Sequence, residues 1–181
     1  MRVKGTLLLD YIKMVRANKD GPWDDYLTPE DWEIINGQIL SSQWYPYESF
    51  RRIAFAAFKI IAKSDLNTSR AFGRFTLKNL LKVYKTIVQP GDPVGSAKKL
   101  AALRRTFVEG DIDTRVGEHG DDWLVYKFTY PVGEDDQEHF EAFTHQMAGN
   151  LEELVEQAGG RNVVIDMEIG KESSSIHVKW E

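Results

Sequence analysis

The chain of 181 residues contains no cysteine. Disulfide bonds, thiolate metal sites and cysteine nucleophiles are therefore excluded together. A chain without disulfides is compatible with a reducing compartment, and we expect it to be cytoplasmic.

Positive charge is not in excess, because 23 lysines and arginines face 28 acidic residues and leave a net charge of −5. Neither a nucleic-acid partner nor attraction to an anionic membrane is expected from this balance. The apolar run near the N-terminus is interrupted at Asp10, Lys13 and Arg16. We therefore expect no signal peptide and no membrane insertion, since a spanning helix needs about 20 mostly apolar residues.

Motifs that carry chemistry are also lacking. The sequence contains no Gly-x-Ser-x-Gly elbow, no phosphate-binding glycine loop and no Gly-x-Gly-x-x-Gly fingerprint. Its four histidines are His119, His139, His145 and His177, and the middle two fall on different faces of one predicted helix. We predict no catalytic residue, no metal site, no cofactor and no enzymatic activity.

The composition that remains, 42% hydrophobic and 28% charged, is that of a globular protein. A chain of this length forms one sizeable core, so we predict a single domain over residues 1–181. Its centre is the segment 41–63, in which Pro46 is expected to be the first helical residue. Apolar residues then recur at helical spacing. They are Phe50, Ile53, Ala54, Ala57, Phe58 and Ile61.

Three further positions mark helix ends or crossings in the N-terminal part. Thr28 precedes Pro29 and two acidic residues, which is typical of a capped helix start. Gly37 is expected to be a left-handed C-cap. Gly73 indicates a bend, a close helix crossing or a short break. The helices predicted here cover 4–18, 29–36, 46–63, 64–88 and a segment that ends at Gly110.

The periodicity changes to that of strands after residue 110. The pattern predicts two strands, a loop over 131–135, a long amphipathic helix and two final strands. Two hairpins joined by a helix predict a four-stranded antiparallel sheet with that helix on one face. We predict an α+β fold, with a helical N-terminal half packed on this C-terminal sheet.

Several motifs through residue 95 are similar to those of a known group of proteins. They are Val3-Lys4-Gly5-Thr6, Leu27-Thr28-Pro29-Glu30-Asp31, Trp44-Tyr45-Pro46-Tyr47-Glu48, Phe72-Gly73-Arg74 and Gln89-Pro90-Gly91-Asp92-Pro93. With these motifs the chain resembles an uncharacterised bacterial family of the superfamily that contains haem–nitric oxide binding (H-NOX) domains, 4-vinyl reductase domains and trafficking-particle subunits. The resemblance implies an H-NOX-like fold and leaves the activity open.

The same resemblance bears on haem. H-NOX domains hold haem iron through a histidine on a helix ahead of the C-terminal sheet, and clasp its propionates with a Tyr-x-Ser-x-Arg motif. This chain has no histidine before His119. The Tyr-x-Ser-x-Arg spacing occurs once, at Tyr47, Ser49 and Arg51, on the predicted central helix and ahead of the C-terminal sheet. Many 4-vinyl reductase domains also bind zinc through cysteines, which are absent here. We therefore predict a non-haem domain, with a haem-based gas sensor as an alternative.

The predicted function is non-enzymatic signalling or small-molecule sensing, in which aromatic residues surround a small apolar ligand. The ligand-binding residues we predict are Trp44, Tyr47, Phe58, Phe72, Arg74 and Tyr84. Two alternatives stay open, which are plain core packing of these aromatics and an interaction module that pairs with another protein or with a second copy. Nine basic residues suggest an acidic protein partner if they are not simply solvated. They are Arg70, Arg74, Lys78, Lys82, Lys85, Lys98, Lys99, Arg104 and Arg105.

Overall fold

The computed structural model describes residues 1–110, 112–130 and 136–181. Within them the chain divides into two compact units. Unit 1 comprises Met1–Asp65 and Thr106–Gly110, and unit 2 comprises Leu66–Arg105 and Asp111–Glu181. The single domain over residues 1–181 stays a prediction. The predicted loop 131–135 lies outside the described residues.

Unit 1 consists of three helices and a small antiparallel sheet with the strand order β2-β1-β3. Its elements are β1 (Arg2–Lys4), α1 (Gly5–Ala17), a 3-10 turn (Trp23–Asp25), α2 (Pro29–Asn36), β2 (Trp44–Pro46), α3 (Tyr47–Ile60) and β3 (Val108–Glu109). The sheet was not predicted, because two- and three-residue strands show no periodicity of their own. The helix predicted to end at Gly110 ends earlier, and β3 occupies that stretch instead.

The start of α2 is as predicted from the sequence. Thr28 is its N-cap and Pro29 its first residue, and Asp31 closes a reciprocal capping box with Thr28. Such a box satisfies two backbone N–H groups that would otherwise lack partners. The predicted left-handed cap at Gly37 was wrong, because its φ is −79°.

Helix α3 is shorter than predicted at both ends. Pro46 is the last residue of β2 and the N-cap of α3, so the helix begins one residue later, at Tyr47. Its buried residues include Ile53, Ala57 and Phe58, as the apolar pattern predicted. The pairing of β2 with β1 takes Pro46 into the sheet, which explains the shift.

Unit 2 contains the predicted four-stranded antiparallel sheet, in the order β4-β5-β7-β6. Its elements are α4 (Leu66–Val83), a 3-10 turn (Lys85–Ile87), α5 (Pro93–Arg105), β4 (Thr114–His119), β5 (Trp123–Thr129), α6 (Gln137–Gln157), β6 (Val164–Ile169) and β7 (Ser173–Lys179). The α+β class and the order strand–strand–helix–strand–strand are confirmed. The core lies between α6 and the sheet, where Leu151, Tyr126 and Ile176 are fully buried.

Helices α4 and α6 cross at unusually short range. A Cβ atom on Gly73 would lie 2.0 Å from the carbonyl oxygen of Gln146, and one on Gly149 would lie 1.9 Å from that of Arg70. Only glycine permits this approach of the two backbones. Helix α4 is continuous through Gly73, so of the three alternatives for this glycine the close crossing is correct.

Candidate functional site

Three of the six predicted ligand-binding residues belong to unit 1. Trp44 lies in β2, and the side chains of Arg2 and Lys4 cover its ring at 5.9 and 5.3 Å from the centroid. Both distances are in the range of cation–π contacts. This half-buried indole is thus in contact with two cations of β1.

Tyr47 and Phe58 lie on α3, three turns apart. The ring of Tyr47 is half-buried and packs against Phe50 with centroids 6.0 Å apart. Phe58 is buried, and its ring lies 6.2 Å from that of Phe55. Aromatic pairs at these separations are typical of cores and of ligand pockets alike. The geometry is therefore compatible with core packing and with ligand binding by these side chains.

The other three predicted residues belong to unit 2. Phe72 is half-buried on α4, and its ring stacks with that of Phe75 at a centroid distance of 6.2 Å. Phe75 as a residue is 52% exposed. Tyr84 follows α4 and packs, half-buried, against the core of unit 2. The structure therefore places Phe72 on a partly open aromatic surface and Tyr84 at the edge of a core.

Arg74 links helices α4 and α6 through ion pairs. Its guanidinium forms ion pairs with Glu156, with Glu153 at 3.0 Å and with Glu152 at 3.3 Å, all on α6. The hydrogen bond to Glu156 raises the pKa of Arg74 and lowers the pKa of that carboxyl. An arginine with three carboxylate partners primarily stabilises the fold. The sequence could not show this pairing, because Arg74 and its partners are about 80 positions apart.

The four histidines do not form a cluster. In residues 1–110, 112–130 and 136–181 there is no group of three or more metal-ligating side chains. His119 is exposed, and its Nε2 atom lies 3.0 Å from the ammonium of Lys98. His145 is half-buried on α6, and desolvation lowers the pKa of its imidazole. His139 is buried on the same helix and His177 lies on β7.

Three hydroxyl groups meet inside unit 2. The hydroxyl of Tyr130 contacts those of Thr144, at 2.6 Å, and Ser174, and the last two are 3.1 Å apart. All three side chains are buried. The cluster links the end of β5 to α6 and β7, and a buried set of mutually bonded hydroxyls contributes to stability rather than to nucleophilic chemistry.

A groove on unit 1 was not predicted from the sequence. It has a volume of about 680 Å³ and is lined by Asp24, Leu27, Pro29, Trp32, Glu33 and Asn36. Trp32 donates its indole N–H to Asp24 at 2.8 Å, which fixes the ring beside the groove. The signal in the sequence was a tryptophan between acidic residues on a short helix. None of the six predicted ligand-binding residues lines this groove.

Near this groove lies a buried ion pair. The carboxylate of Asp31 is fully buried and accepts two hydrogen bonds from Arg52, at 2.7 and 2.9 Å. Burial raises the pKa of Asp31, but the hydrogen bonds from Arg52, the Thr28 N–H and Ser49 outweigh burial, so the pKa is lowered. The hydrogen bonds within the fold compensate the charge of the Asp31 carboxylate, and we assign this residue no catalytic role.

No helix in the described part of the chain is both long and apolar enough to cross a bilayer.

Comparison with known proteins shows similarity in structure alone. No protein-family model matches the chain, and a search of curated proteins finds no match. Among solved structures, an H-NOX protein from S. oneidensis in its Fe(II)NO state has a TM-score of 0.66 at 11% identity, with 98% of this chain and 99% of that chain covered. An Fe(II) unliganded H-NOX variant from K. algicida has a TM-score of 0.63 at 15% identity, covering 98% and 97%.

A third similar structure is an oxygen-binding H-NOX domain related to soluble guanylate cyclases, with a TM-score of 0.64 at 13% identity. It covers 98% of this chain and 95% of that chain. Likeness at this level of identity establishes the fold, which is H-NOX-like over nearly the whole chain. Function has to be argued from the residues.

Proposed function

We propose that this chain is a non-enzymatic, H-NOX-like sensing domain that binds a small apolar molecule without haem. Its fold supports the sensing part, since similar structures are H-NOX domains over 98% of the chain. The residues on α5 support the haem-free part. That helix precedes the four-stranded sheet, where the H-NOX resemblance implies the iron-binding histidine.

The polar side chains of α5 do not fit haem ligation. Ser96 is buried and hydrogen-bonded to the backbone at Gln89 and Asp92. Lys99 donates to the carbonyl of Thr86, and Arg105 to that of Thr114. Neither an imidazole nor a thiolate is present on this helix. The single observation that carries the proposal is therefore an H-NOX-like fold whose α5 offers no iron ligand.

The ligand-binding residues that we propose are the six predicted ones: Trp44, Tyr47, Phe58, Phe72, Arg74 and Tyr84. Support comes from the partial exposure of the Trp44, Tyr47, Phe72 and Tyr84 rings, since aromatic surfaces bind apolar molecules well. Arg74 is the weakest member. Its guanidinium is already paired with glutamates of α6, and its side chain is only 28% exposed.

A matched pair of variants tests this proposal. Phe72 and Phe75 stack on the same helix, but only Phe72 is a proposed binding residue. We expect native mass spectrometry of the purified protein to show bound excess mass, which Phe72→Ala reduces and Phe75→Ala retains. Ligand binding would be contradicted if the wild-type protein shows no excess mass and if no apolar compound raises its melting temperature.

A second function, an interaction module, is favoured by a specific surface. Val83 is 74% exposed at the end of α4, between two lysines. An exposed apolar side chain within a charged rim is typical of protein contacts rather than of ligand pockets.

A further inference from the structure

The groove on unit 1 carries charge of one sign. Its apolar floor is formed by Leu27, Pro29 and Trp32, and its two charged lining residues, Asp24 and Glu33, are both acidic. Neither of them has a cationic partner among the described side chains; Asp24 accepts only the hydrogen bond from Trp32. We call these residues, with Asn36, the acidic groove. It is suited to a basic segment that also presents an apolar side chain.

The chain carries such a segment on unit 2. Lys82 and Lys85 flank Val83, and all three are exposed. The ammonium of Lys99 joins them, because it donates to the carbonyl of Thr86 at 3.1 Å. We call Lys82, Val83, Lys85 and Lys99 the basic end.

The basic end lacks carboxylate partners. Lys82 contacts the side-chain oxygen of Asn79 at 3.0 Å, and within residues 1–110, 112–130 and 136–181 no acidic group pairs with its lysines. The other cations of α4 differ, since Arg70, Arg74 and Lys78 all pair with glutamates of α6. In a chain with a net charge of −5, an uncompensated cluster of lysines is a local exception.

We propose that the acidic groove binds the basic end of a second copy of this chain. Val83 of one copy lies on the apolar floor beside Trp32 of the other, while Lys82 and Lys85 face Asp24 and Glu33. Because two different surfaces meet, the contact is head-to-tail. Repeated contacts of this kind assemble copies of the protein into a closed ring or a short linear oligomer. The contact is small, and it forms only at high protein concentration. It does not depend on the ligand proposed above.

Charge reversal of either surface tests the contact by sedimentation velocity, from about 10 μM to about 1 mM chain, the range of weak complexes. We expect the mean mass of the wild type to rise with concentration. Asp24→Lys/Glu33→Lys and Lys82→Glu/Lys85→Glu should each weaken association about tenfold or more, because like charges then face each other. An equimolar mixture of the two variants should associate again, since the reversed groove accepts the reversed end.

Two controls separate this contact from an effect of net charge. Asp121→Lys/Asp122→Lys and Lys171→Glu/Lys179→Glu change the net charge equally at exposed positions elsewhere, and they should leave association intact. Glu33→Lys alone retains the bond between Asp24 and Trp32, and serves if the double variant does not fold. A wild type that stays monomeric at every concentration overturns the proposal, and so does association that neither reversal weakens or that the mixture does not restore.

Discussion

Helix α4 carries basic side chains along its length, but its two ends use them differently. In the first four turns, Arg70, Arg74 and Lys78 pair with glutamates of α6 across a crossing that two glycines make possible. At the C-terminal end, Lys82 and the neighbouring Lys85 have no acidic partner in the described chain. The same residue type thus stabilises the fold at one end and remains available for a partner at the other.

Along α4, the contribution of backbone packing to stability can be separated from that of the ion pairs. The crossing between α4 and α6 is set by backbone distance, which tolerates no added atom. The ion pairs are peripheral to it and partly exposed, and we expect them to contribute less. Variants along α4 should therefore fall into a clear order of stability.

The largest effect is expected at the crossing. Gly149→Ala or Gly73→Ala would place a methyl group about 2 Å from a backbone carbonyl, so the helices must separate. We expect the free energy of unfolding to fall by at least about 3 kcal/mol, in line with severe overpacking. Urea denaturation measures it, with Ala71→Ser on the exposed face of α4 as the control. A loss below about 1 kcal/mol would show that the crossing adjusts easily.

The next effect is expected at Arg74. Arg74→Met leaves the carboxylate of Glu153, which is only 1% exposed, with Lys78 as its remaining cation. We expect a loss of about 1–3 kcal/mol, less than for a fully buried pair because the arginine is partly exposed. Lys85→Met should change stability by less than about 0.5 kcal/mol. Equal losses in the two variants would remove the distinction between the ends of α4.

The contribution of Arg74 should depend on pH. The pKa of Glu156 is lowered in the folded state by its hydrogen bond with Arg74. A lowered carboxyl pKa stabilises the fold above the unfolded value and loses this contribution as pH falls through the folded value. We therefore expect the stability difference between wild type and Arg74→Met to be constant near neutrality and to shrink below about pH 4.5. Denaturation curves at several pH values test this, and a difference that grows on acidification would contradict it.

The smallest effect is expected at Val83. Its side chain is 74% exposed, so Val83→Ser should alter the free energy of unfolding by less than about 0.5 kcal/mol. The same variant should weaken self-association, because the proposed contact buries this side chain. A variant that is destabilised by more than about 1 kcal/mol would place Val83 in the fold rather than on a free surface.

Sequence patterns predicted the elements of the α+β fold wherever a periodic segment was long enough to identify a helix or a strand. Strands β5, β6 and β7 and helix α6 follow from alternating or helical spacing, and Thr28 and Pro29 fixed the start of α2. The small sheet of unit 1 was missed because its strands have two or three residues and depend on pairing between distant parts of the chain. Tertiary pairing of this kind leaves no local pattern.

The candidate site was less predictable than the fold. Spacing placed Phe72 and Arg74 together on α4, but only the structure shows that α6 supplies three glutamates to Arg74. Trp32 lines the acidic groove, but no sequence pattern indicated this, because a single tryptophan on a short helix has no periodic context. Pairing at long sequence distance and surface shape are the two properties that the sequence did not reveal.

We propose above that this H-NOX-like fold functions without haem. The most direct test is the absorption spectrum of the protein purified from cells supplied with a haem precursor. We expect no Soret band, because α5 carries neither a histidine nor a cysteine. A Soret band with one haem per chain would contradict it, and would direct attention to His139 and His145 on α6 as the iron ligands.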